Sequence, residues 1–104
     1  MNNKKLKSLV EKAINIDPQN EIQIEENAKQ RLVLMKENLE DTISYLNSCS
    51  EIELLWATEI LEDLSEYYKS DKLIKCVENN AKRCQNTETK SQLKATINYM
   101  KQYI

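Results

Sequence analysis

Four carboxylates, Glu59, Glu62, Asp63 and Glu66, stand at i, i+3, i+4 and i+7 of a stretch with helical patterning. That spacing places all four on one helix face, where like charges one turn apart repel by about 0.2–0.5 kcal/mol per pair. Glu51 and Glu53 extend the acidic run at its start and Asp71 at its end, with Lys69 as the only basic residue between 51 and 71. A row of this kind suits a basic partner surface, and its field speeds encounter at low salt. Tyr67 lies beside the row, and tyrosine is enriched where interfaces hold tightest. The candidate partner-binding residues are therefore Glu51, Glu53, Glu59, Glu62, Asp63, Glu66, Tyr67 and Asp71.

Catalysis is not expected. The chain has no histidine, so the commonest general base and the usual nitrogen ligand for metals are both missing. It has no glycine, which removes phosphate-cradling loops, dinucleotide-binding turns and nucleophile elbows. Carboxylate metal sites in helical bundles draw on a Glu-x-x-His pattern that cannot be written here. Cys49, Cys76 and Cys84 form no Cys-x-x-Cys pair and read as reduced, buried apolar side chains. No cofactor or metal is expected.

Charge is unevenly spread over the 104 residues, although the net charge is only -2. Residues 1–16 carry four lysines against Glu11, and residues 72–104 carry seven basic groups against Glu78 and Glu88. Residues 17–50 and 51–71 each carry seven acidic groups. Two outcomes follow for the 59–66 row: it stays free for a partner, or lysines of 72–101 neutralise it. With a pI near 5.3, nucleic acid is not an expected partner. No apolar run approaches the ~20 residues that span a bilayer, and no export signal is read at the start. The expected location is the cytoplasm.

Helices must position these groups. Without glycine, tight primed hairpin turns lack their usual residue, which argues against a β-rich fold. Hydrophobic residues at 40% are enough for a core despite 31% charged residues. The first predicted helix covers about 3–16, with Leu6, Leu9, Val10, Ala13 and Ile14 on one face. The second covers about 19–47, with a near-heptad stripe of Ala28, Leu32, Met35, Leu39, Ile43 and Leu46. Either Asp17 or Asn20 caps its start, and Asn38 is a possible break. Ser50 and Glu53 form a capping-box pattern that opens the third helix, about 51–69. Its apolar face holds Leu54, Ala57, Ile60, Leu61, Leu64 and Tyr68, with Trp56 as a further core candidate. A fourth helix covers about 71–84. After a polar loop at 85–89, a fifth runs to the end, with Leu93, Ile97, Met100 and Ile104 in line. The expectation is an all-α, single-domain bundle of five or six antiparallel helices over 1–104.

The segment 53–64 carries a resemblance. Its Glu53, Ala57, Glu59, Leu61, Asp63 and Leu64 resemble an acidic helix of small α-helical immunity proteins, which accompany contact-dependent growth inhibition and other polymorphic toxins. The resemblance implies a cytoplasmic protein that binds a cognate toxin domain and blocks its active site. The implied target is a basic nuclease, an RNase being one such activity, and the acidic row would plug its cleft. On the residues alone a second class stays open: a structural or adaptor bundle that self-associates through the 28–46 stripe. The inhibitor reading goes with a monomer, which is favoured over a homo-oligomer.

Overall fold

The computed structural model describes residues 2–104 as an all-α bundle of six helices. They are α1 (Asn3–Ile14), α2 (Glu21–Met35), α3 (Leu39–Ser48), α4 (Glu51–Tyr68), α5 (Asp71–Arg83) and α6 (Thr87–Met100), followed by a 3-10 turn, Lys101–Tyr103. Each helix starts on an Asn or Ser whose side chain accepts the backbone N–H three residues on. The caps are Asn2, Asn20, Asn38, Ser50, Ser70 and Asn86. One of the otherwise unpaired N–H groups of each first turn is satisfied in this way, worth about 1 kcal/mol per helix. At α4 the box closes in both directions, since Glu53 also accepts from the Ser50 backbone.

The break at Asn38 separates α2 from α3, so the 28–46 stripe is not one rod. Met35 and Leu46 are fully buried, whereas Ala28, Leu32, Leu39 and Ile43 pack on the core from its margin. The line that α2 buries most deeply is instead Asn27, Arg31 and Met35. These step by four, as an apolar stripe would, but two of the three are polar. Other differences are local. The last helix begins at Thr87, because the Asn86 side chain supplies a cap within what reads as loop. The 3-10 turn rotates the chain end, so Ile104 is exposed while Leu93, Ile97 and Met100 stay in the core. Ile14 also lies outside.

The core forms around α4, which packs most closely on α6 and also meets α2. In turn, α5 packs on α6 and α3, and α1 rests mainly on α2. Leu54, Ala57, Ile60, Leu61 and Leu64 are buried from α4, and Leu73, Ile74, Cys76, Val77 and Ala81 from α5. All three cysteines are buried free thiols. The radius of gyration, 12.8 Å, matches the roughly 13 Å of a compact 100-residue chain. Among the described residues no helix is long and apolar enough to cross a membrane.

With no glycine available, the turn from α4 to α5 is made by Lys69 in the left-handed region, φ 48° and ψ 48°. Its N–H still donates to the Ser65 carbonyl, and Ser70 then caps α5. A side chain at this position crowds its own backbone, which is why glycine is the usual occupant.

Candidate functional site

The apolar residues of α4 point inward, which leaves Glu59, Glu62, Asp63 and Glu66 on the outward side as their spacing requires. The four do not share one environment. Glu59 and Glu62 are engaged by neighbouring elements, whereas Asp63 and Glu66 form no ion pair among the described residues.

Glu59 faces α2. Its Oε2 accepts from Arg31 Nη2 at 2.6 Å, and the Arg31 side chain is 3% exposed against 37% for Glu59. Each guanidinium nitrogen donates once: besides the Nη2 bond, Nη1 donates to the Trp56 carbonyl at 2.9 Å and Nε to Asn27 Oδ1 at 2.8 Å. Asn27 Nδ2 donates in turn to the Leu9 carbonyl at 2.8 Å. A buried polar line therefore runs from α1 through α2 to the outer edge of α4. The half-buried Trp56 ring lies 6.0 Å from the Arg31 guanidinium carbon, which adds a cation–π contact. Glu62 faces the carboxyl-terminal turn and accepts the Tyr103 hydroxyl at 3.1 Å. That hydrogen bond is the main reason the Tyr103 phenol is held above its usual range, with the nearby charges of Glu66 and Asp63 adding to it.

Asp63 and Glu66 are exposed and have no cationic partner among the described residues. Among the described residues, no lysine of the following helices forms an ion pair with them. Lys72 reaches Glu40 at 3.9 Å and Lys75 reaches Asp71 at 3.0 Å. Lys82, Lys90 and Lys94 instead line a shallow groove between α5 and α6, beside Glu78 and over Ala81 and Ile97.

The carboxylates at the ends of α4 are engaged within the fold. Glu53 closes the capping box and accepts the Tyr45 hydroxyl at 2.7 Å. Burial is the largest reason, and this hydrogen bond the next, that the Tyr45 phenol is pushed far up. Glu51 Oε1 accepts the backbone N–H of Asn86 at 3.0 Å and of Gln85 at 2.8 Å, tying the start of α4 to the turn before α6. Those N–H donors, Asn86 first, hold the Glu51 carboxyl below its ordinary range. Asp71 opens α5 and pairs along it with Lys75.

Tyr67 is 56% exposed. Its ring meets Tyr68 edge-on, with centroids 5.0 Å apart and planes at 74°. The Lys36 ammonium sits 4.9 Å from the Tyr67 centroid. The most exposed part of the candidate set on the carboxyl-terminal half of α4 is thus Asp63, Glu66 and Tyr67. Arg31 and Lys36, which meet Glu59 and Tyr67, were not among the candidates. Arg31 is one polar residue on a polar helix in sequence, and only its step of four from Asn27 and Met35 hints at burial. No family model, characterised protein or solved structure matches this chain.

Proposed function

We propose that this chain is a non-catalytic inhibitor of the immunity type, which captures a basic toxin domain on the exposed strip of α4 and blocks its active site. The observation that carries the reading is the pair Asp63 and Glu66: exposed carboxylates on one face of an 18-residue helix, which form no ion pair among the described residues. Leaving charge uncompensated costs little stability at a surface and gains orientation and speed when a cationic cleft approaches. A nuclease cleft built to hold phosphates is such a surface, and carboxylates on a rigid helix stand in for them. The absence of histidine and glycine from the sequence supports binding over chemistry. The likeness of residues 53–64 to the acidic helix of immunity proteins supports the same choice. In that role the protein acts in the cytoplasm of the cell that carries the toxin gene.

The test is whether a neighbouring gene encodes a toxin domain and whether this protein captures it, measured by titration calorimetry at two salt concentrations. D63N/E66Q is the informative variant, since neither side chain makes a hydrogen bond or ion pair among the described residues. At roughly 0.5–1 kcal/mol per rim ion pair, the double change weakens binding by about tenfold and flattens its salt dependence. Unchanged affinity removes α4 from the interface.

A further inference from the structure

We infer that the group this face is built to receive is a partner's arginine, stacked on the Tyr67 ring with its guanidinium against Asp63, and that Lys36 is the cation it displaces. The inference rests on the reading of α4 as the binding face and specifies the chemistry of its partner.

Tyr67 is more than half exposed, and its ring packs nearly perpendicular to that of Tyr68, whose hydroxyl donates to the Met35 carbonyl at the end of α2. The ring it leans on is therefore anchored to the core. Lys36, the residue that caps the end of α2, already holds its ammonium over the Tyr67 face at 4.9 Å, inside the ~6 Å reach of a cation–π contact. Lys36 makes no ion pair among the described residues. The ring is thus a cation seat with an occupant held by little else.

Arginine is the better occupant. An ammonium is compact and strongly hydrated, whereas a guanidinium is planar, sheds water more readily, stacks flat on a ring and keeps its edge free for a carboxylate. Asp63 stands one turn before Tyr67 on the same side of α4 and is exposed. Aromatic face and carboxylate together match both recognition surfaces of one guanidinium. Lysine could use them only one at a time.

Nona-arginine and nona-lysine peptides are suitable probes, titrated at low salt into the wild type, K36M, Y67L and K36M/Y67L while backbone amide shifts are followed by NMR. Y67F keeps the ring and serves as the control for the hydroxyl. Circular dichroism checks each fold, and an exposed Tyr67 tolerates replacement. The wild type prefers the arginine peptide. K36M tightens that binding roughly two- to fivefold, Y67L abolishes the preference, and K36M gives no such gain in the Y67L background. A K36M gain of equal size with and without the ring means that Lys36 acts by charge alone, and overturns the inference. Binding that depends on Asp63 and Glu66 but not on Tyr67 also overturns it, while leaving α4 as the acidic face. Binding indifferent to D63N/E66Q as well would remove both.

Discussion

Replacing Arg31 by Met tests the buried polar line directly, because methionine keeps the side-chain stem and removes the charge and every donor. Arg31 makes three hydrogen bonds from a site closed to solvent, to Asn27, the Trp56 carbonyl and Glu59. Removing one partner of a fully buried ion pair costs about 3–5 kcal/mol, chiefly for the charge left behind. Glu59 is 37% exposed, so the charge left behind is rehydrated and the cost falls below that range. What remains is the unmet Asn27 oxygen and the lost charge-assisted bonds, each worth about 1.5–3 kcal/mol when a charged group takes part. A loss of about 2–3 kcal/mol follows, a large share of the ~5–15 kcal/mol that holds a domain together. The assay is urea unfolding followed by far-ultraviolet circular dichroism and by fluorescence of Trp56, the single tryptophan, which lies against the guanidinium. E59Q keeps an acceptor at the same place and costs less. R31M/E59Q falls short of the sum of the two single changes, because both remove the same bond. A loss under about 1 kcal/mol for R31M, or strict additivity in the cycle, would refute the account of this line as what fastens α1 and α2 to α4.

Three further outcomes are expected. K69G relieves the left-handed residue between α4 and α5 and raises stability by about 0.5–1 kcal/mol, read as a higher urea midpoint with an unchanged slope; a lower midpoint contradicts the strain argument. Burial pushes the Cys49 thiol up to about 12 and raises Cys76 and Cys84 as well, so a disulfide reagent at pH 8 labels the native protein slowly and all three thiols at once in guanidinium. Fast native labelling would contradict it. The Glu51 carboxyl is lowered on folding, so its stabilising contribution is present above the ordinary carboxylate range and is lost as pH falls through the folded value. E51Q therefore lowers the urea midpoint at pH 7, and the gap to wild type closes at low pH; a gap that persists there would show that the charge is not what matters.

The helices were largely legible because their starts are written locally. Ser50 with Glu53, Ser70, and Asn20 and Asn38 as alternatives all carry the polar cap the backbone needs, and each caps in the structure. Asn86 carries the same signal, but the polar residues after it, Thr87 and Glu88, read as loop because the apolar period resumes only at Leu93. The buried side of α2 was not legible, since periodicity counts apolar residues and Asn27 and Arg31 are buried by pairing. The acidic face of α4 was legible as a face. Its division was not, because the groups that engage it come from far along the chain: Arg31 lies 28 residues before Glu59, and Tyr103 lies 41 residues after Glu62. Glu51 shows the same limit. Its spacing marks a helix start, while its carboxylate serves the turn at Gln85 and Asn86.

The guanidinium locked behind Glu59 also bears on the proposed docking face. A visitor that claimed Glu59 would strip a sealed-in positive group of its counterion, and the loosening would spread to the first helix through Asn27. On the proposed reading a toxin domain gains nothing by that trade and would settle on Asp63, Glu66 and Tyr67, toward the carboxyl end of the rod. If that reading holds, the register of docking is fixed from within, by making one of the most prominent acids the wrong one to take.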